Sequence, residues 1–425
     1  MAGRTGPVRA AVLTIASAVV LTAGAAVLYR PDAPPEIATG AEPPVDAVAV
    51  LRERLRLVPG DWRSWAGLAV RYVERARGTG DPGDYARAEE SVRRSYALHP
   101  DGNADALVAD GMLANARHDF AAGRDRATEA LALNDHDAGA QAVLADALTQ
   151  LGPAGTATGA VQRLLDLRPG LSAYTRGSYD LELRGDDAGA ADLMTRALTT
   201  ATAPADIAFC RAQLGDLAFH RGDLAGAAAA YAAGLAADPG SAALRRGQAR
   251  VLAAQGRTAA ALEIWAGLPP EAGNLIEYAD LLRALGRPGD ARAQLALAEA
   301  QHGLFTANGG VDGITGAHLA IALGDPDAAV TAARAEYDRR RHPDVADAYA
   351  WALHAAGRDA EALPVAREAL AGGARPASYL YHLGVIAHAL GDPSWRGHLA
   401  EALTRNPAFS PSGAADAGRL LAVPA

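Results

Sequence analysis

Small and bulky apolar side chains recur in step along this chain, interrupted at regular intervals by a short polar phrase. The phrase is Gly-Asp or Gly-Arg, a few residues, then Ala. It reads GDYARA at 83–88, GDDAGA at 185–190, GDLAGA at 222–227, GRTAAA at 256–261, GRPGDA at 286–291, GDPDAA at 324–329, GRDAEA at 357–362 and GDPSWR at 391–396. Gly152 holds the same slot, and His118 replaces the glycine once. Successive starts at 83, 118, 152, 185, 222, 256, 286, 324, 357 and 391 are 30 to 38 residues apart. A period of this length means stacked supersecondary units, each burying its apolar face against its neighbours.

The segment 208–241 shows the unit most completely. Gly215 and Ala227 are small where two helices of one pair cross. Tyr231 is large and fills the space toward the next pair. Gly222 permits the tight turn between the helices. Asp223 accepts from free N–H groups at the start of the second helix. Pro239 ends that helix. Trp65, Leu68 and Tyr72 open the first full unit and Pro100 closes it; Pro169 and Pro407 close two more. Residues 45–60 read as a solitary second helix ended by Pro59, and 412–422 as a capping helix.

This pattern resembles the tetratricopeptide family, whose repeat is 34 residues. The resemblance covers 45–422. It implies an all-α fold: a right-handed solenoid of about ten antiparallel helix pairs whose first helices line a concave groove for a peptide or protein. Residues 302–316, with five glycines, interrupt the period and read as a loop and a break between two solenoid segments.

Composition agrees with helices. Half of the residues are hydrophobic and only 5% are aromatic, so Ala and Leu, the strong helix formers, dominate the apolar surface. Net charge is -9, which argues against nucleic acid as a partner. Lysine is absent, so a phosphate loop of GxxxxGK[ST] form is excluded, as are HExxH and GxSxG by inspection. No catalytic constellation, cofactor motif or metal spacing emerges. Cys210 is the single cysteine, and burial is its expected role.

The N-terminus is separate in character. Arg4 and Arg9 precede a twenty-residue uncharged run from Ala10 to Tyr29, long enough to cross a bilayer. Residues 1–30 read as a signal anchor or, alternatively, a cleaved signal peptide, since Ala23-Gly24-Ala25 resembles a cleavage site. Both readings place the solenoid outside the cytoplasm: membrane-attached through 10–29, or secreted. Residues 31–44, with five prolines, read as an extended spacer.

Counting six residues back from each turn gives the groove-facing register: Met112, Asp146, Tyr179, Asp216, Arg250, Asp280, His318, Trp351 and Val385. His354 lies one turn beyond Trp351, and Tyr381, His382 and His388 share the last first-type helix. The candidate partner-binding residues are thus Tyr179, Asp216, Arg250, Asp280, His318, Trp351, His354, Tyr381, His382 and His388. Aromatic and His side chains together make good peptide anchors. The histidines also admit a second reading, a metal or small-ligand carrier. Arg339–Arg341 form the one basic run, at an expected helix C-terminus where the dipole favours cations.

Overall fold

In a computed structural model, residues 46–79, 81 and 83–423 are described. The expected anchor and spacer, 1–44, lie outside these. Twenty-two α-helices follow one another, and all secondary structure among the described residues is helical. Ten antiparallel pairs run from α2 (Trp62–Thr79) and α3 (Gly83–Leu98) to α20 (Ala377–Ala389) and α21 (Trp395–Arg405). A single helix flanks them at each end, α1 (Ala47–Leu57) and α22 (Pro411–Ala422). We call the first helix of each pair A and the second B.

The pair α10 (Pro204–His220) and α11 (Leu224–Ala237) shows why the units form. Gly222 has φ +75°, which ends α10 without the Cβ clash an L side chain would meet. Asp223 then caps α11 by accepting from the Gly226 amide at 2.8 Å. The Tyr231 ring, 1% exposed, lies against Gly215 of α10 and Gly247 of α12 (Ala242–Ala254). One bulky side chain thereby keys two helices, and the two glycines make the room. Asp119, Asp186 and Asp325 repeat the cap at α5 (Phe120–Leu133), α9 (Asp187–Thr200) and α17 (Pro326–Arg339).

Two local expectations change. Gly152 has φ -121° and makes no left-handed turn; Gly155, at φ +89°, does so inside a longer loop before α7 (Thr158–Leu167). The interruption at 302–316 narrows to 308–312, because α15 (Pro288–Ala307) takes in its first six residues and α16 starts at Gly313.

The solenoid closes on itself. A–B turns of the first half meet B–A junctions of the second half at a nearly constant spacing. His118 Nδ1 lies 2.9 Å from the Val311 carbonyl, 193 residues away. Arg340 donates to Gln150 at 2.8 Å, 190 residues away, and the Arg341 amide to the Leu151 carbonyl at 3.0 Å. Gly185 packs on Gly373. Asn406 Nδ2 donates to the Phe219 carbonyl at 2.8 Å, 187 residues away. Two coils are therefore stacked, and a seam runs between them.

The seam explains two sequence oddities. His118 carries φ +63°, the one positive value on a non-glycine residue among those described. Its buried ring holds the seam, which offsets the backbone strain. The basic run at 339–341 lies at the C-terminus of α17, as expected, and there also latches the seam. Arg340 is 2% exposed and also pairs with buried Glu336; Arg339 donates to the His118 carbonyl at 2.6 Å; Arg341 stacks on the Tyr337 ring, 3.8 Å from its centroid.

Candidate functional site

Helix A of each pair faces inward, so the sequence register can be followed residue by residue. The structure places the proposed residues in three settings.

Tyr179 on α8 (Leu171–Leu183) is 9% exposed and belongs to the seam, its hydroxyl 3.4 Å from His342 Nε2. Burial raises the phenol well above its usual range and lowers the His342 imidazole to about 4. Both are therefore neutral at pH 7.

Asp216, Arg250 and Asp280 are occupied by the chain itself. Asp216 accepts from the Tyr231 hydroxyl at 2.7 Å and from Arg250 at 3.4 Å. Arg250 lies over the Phe219 ring at 4.6 Å. Asp280 on α14 (Ala272–Ala284) accepts from Ser410 at 3.0 Å and from Ser412, at the start of α22. The capping helix thus reaches across the interior to α14.

Trp351, His354, Tyr381 and His382 form one cluster. Trp351 on α18 (Pro343–Ala355) stacks on His382 at 4.2 Å and His354 at 4.8 Å, with Tyr381 tilted at 5.7 Å. Each imidazole is held at Nδ1 by a carboxylate: His382 by Asp347 at 2.9 Å, His354 by Asp359 at 2.5 Å. Tyr381 donates to Asp416 at 2.9 Å and packs on Phe409, so α22 covers it. His318 on α16 (Gly313–Leu323) has its imidazole pushed down, first by burial. His388 stands apart, exposed and edge-on to Trp395 at 4.5 Å. Among the described residues, no group of three or more His, Cys, Asp or Glu side chains is placed to hold a metal ion.

Open space lies elsewhere. A cleft of about 230 Å³ opens on the inner face of the first coil. Met112, Asn115, Ala142, Asp146, Ser172 and Arg176 line it, from helix A of three successive pairs. Ala138, Gly139 and Gly170 leave the room. Arg176, 7% exposed, is fixed by two bonds of 2.7 Å to Asp146 and one of 2.6 Å to the Ser172 hydroxyl. Arg77 and Arg168 stand at the edge. The register had given Met112 and Asp146. It missed Ser172 and Arg176, because they enter the cleft from the first turns of α8, beside uncapped Gly170. The absence of a side-chain cap at that helix start was the available signal.

Residues 218–285 match the family model described as tetratricopeptide repeat. No curated protein matches the chain. Similar solved structures include a tetratricopeptide repeat protein from Parabacteroides merdae (16% identity, TM-score 0.34, 59% of this chain and 98% of that one). Yeast Tom70 matches with 13% identity and TM-score 0.41 over 88% of each chain. A thermophilic tetratricopeptide protein of Thermus thermophilus matches with 17% identity and TM-score 0.37, over 44% of this chain and 99% of that one. Residues 218–285 are thus similar to the tetratricopeptide repeat, and the described residues form an all-α solenoid of antiparallel helix pairs.

Proposed function

We propose that the chain is a binding scaffold that holds a peptide or protein segment against the inner face of its first coil. The observation that carries this reading is the cleft between α4 (Ala104–Ala116), α6 (Ala138–Leu151) and α8. Its floor of small and apolar residues takes side chains, while pre-ordered Arg176 and Ser172 offer fixed polar contacts. Most of the C-terminal candidates already have partners within the chain, so they serve as an ordered wall for the interior. No step of this reading needs catalysis.

Among the described residues no helix is long and apolar enough to cross a membrane. The run 10–29, outside those residues, supports the further proposal that the scaffold is exported and held close to a membrane, its solenoid outside the cytoplasm.

The test is site-specific photocrosslinking in the native cell. A photoreactive residue at Ala142, in the cleft, should yield a discrete adduct that Arg176→Ala reduces several-fold. The same residue at Thr404 should not. Equal labelling from both positions contradicts the reading.

A further inference from the structure

Among the described residues, both flanking helices are half of a pair. On α20, Gly384 seats the B helix: a methyl group there would lie 2.6 Å from Leu399 Cδ2 of α21. Helices α18, α20 and α22 start 34 residues apart, at Pro343, Ala377 and Pro411. One step beyond Gly384 is Gly418 on α22. Nothing lies within 4 Å of the corresponding point there. Among the described residues, α22 is an A helix with an empty B seat.

Helix α1 is the converse. Leu51 stands eight residues before Pro59, as Leu399 stands eight before Pro407 and Tyr231 eight before Pro239. Leu51 packs on the next A helix at Gly67, yet it stays partly exposed where Leu399 and Tyr231 are buried. Val50 and Leu57 beside it are 52% and 65% exposed. Among the described residues, this is a B helix without its A.

We infer that α22 of one copy and α1 of a second copy join into an eleventh pair, so that chains continue head to tail. The seam supplies an independent argument. Within one chain, the turn of pair n meets the junction five to six pairs later, as His118 meets Val311 and Phe219 meets Asn406. The turns at Gly256, Gly286, Gly324, Gly357 and Gly391 have the same left-handed glycine and nothing within 4 Å of it. Counting α22–α1 as one pair sets the first five junctions of the second copy over these five turns. Asn134 of the second copy then falls on the Gly324 turn. It has the backbone of Asn406 (φ -151°, ψ 101° against φ -151°, ψ 104°) and the same side-chain bond to the amide two residues on. Asn406 uses its remaining amide group on the seam; Asn134 is exposed. The contact is heterologous and open-ended, so it builds a filament that continues the coil.

The test uses the full chain in a Cys210→Ala background. Leu51→Cys and Gly418→Cys are made separately, given different tags, mixed and oxidised. The expected result is a disulfide between the two tags that neither variant forms alone, lost at least tenfold when Leu57→Glu is added to the Leu51→Cys chain. The geometry of a disulfide demands that the two helices be packed. Absence of the mixed disulfide overturns the inference, as does a mixture dominated by same-tag dimers. If the mixed disulfide forms only after deletion of residues 2–44, the chain's own N-terminus fills the seat and the inference also fails.

Discussion

Asn406 and Phe219 are 187 residues apart, yet the Asn406 side-chain amide donates to the Phe219 carbonyl at 2.8 Å. Asn406 is 1% exposed, and the neighbouring Arg405 pairs across the same seam with Asp187 at 2.5 Å. A solenoid stabilised only by nearest neighbours has no such contacts. Here the second coil braces the first.

Asn406→Ala removes the side-chain donor from a buried position. The expected cost is about 1 to 2 kcal/mol. It should show as faster hydrogen exchange at the turn 219–223 with little change at α6. Uniform acceleration along the whole chain would mean that the seam is not a separate unit.

Acid should loosen the seam. His342 is fully buried, and burial lowers its imidazole to about 4 from the usual 6.5; His118 is shifted the same way for the same reason. A depressed histidine is neutral when folded, so its contribution is intact above pH 6.5. It is lost as pH falls toward 4, because the unfolded chain takes up the proton first, and the loss for His342 reaches about 3 kcal/mol. His342→Asn keeps an N-cap acceptor for the Asp344 amide but cannot titrate. Between pH 7.5 and 5 its melting temperature should fall less than that of the parent chain. Equal falls would refute the assignment.

The tyrosine key predicts a compensating pair. Gly215→Ala places a methyl group into the Tyr231 ring and should cost about 1 to 3 kcal/mol by overpacking. Tyr231→Leu in the same chain relieves the overlap and should recover part of the loss. A double variant no more stable than Gly215→Ala alone would show that the contact does not set the spacing of α10 and α11.

Helix α22 is tied to the interior through Asp280, which accepts from Ser410 and Ser412. Asp280→Ala should free its N-terminus, raising hydrogen exchange in 410–416 and the exposure of Tyr381 to nitration while leaving α6 unchanged. Unaltered exchange at 410–416 would place the anchorage of α22 on Phe409 and the Tyr381–Asp416 bond.

The pairs were legible in the sequence because local steric needs repeat: a small residue at each crossing, a left-handed turn, a carboxylate at each cap. Gly215, Tyr231, Gly222 and Asp223 state those needs within one 34-residue window. The seam was not legible, because its contacts lie about five and a half repeats apart and several end on backbone carbonyls, which carry no sequence signal. His118 in a glycine slot was the trace it left. Arg340 looked like a cation at a helix end because that role also fits its local surroundings. Among the site candidates, the grouping of Trp351, His354 and His382 followed from helical spacing on adjacent A helices. The occupancy of Asp280 and Tyr381 by α22 did not, since it depends on a helix returning across the interior.

The central claim is that the two coils touch. Electron-spin distances between labels at Arg221 and Thr404, both exposed, test it directly. Gly222 lies against the Arg405 carbonyl, so the labels should give one narrow, short distance. A broad distribution centred near about 50 Å, the span of five pairs laid side by side at helix-packing distance, would contradict the stacked coils.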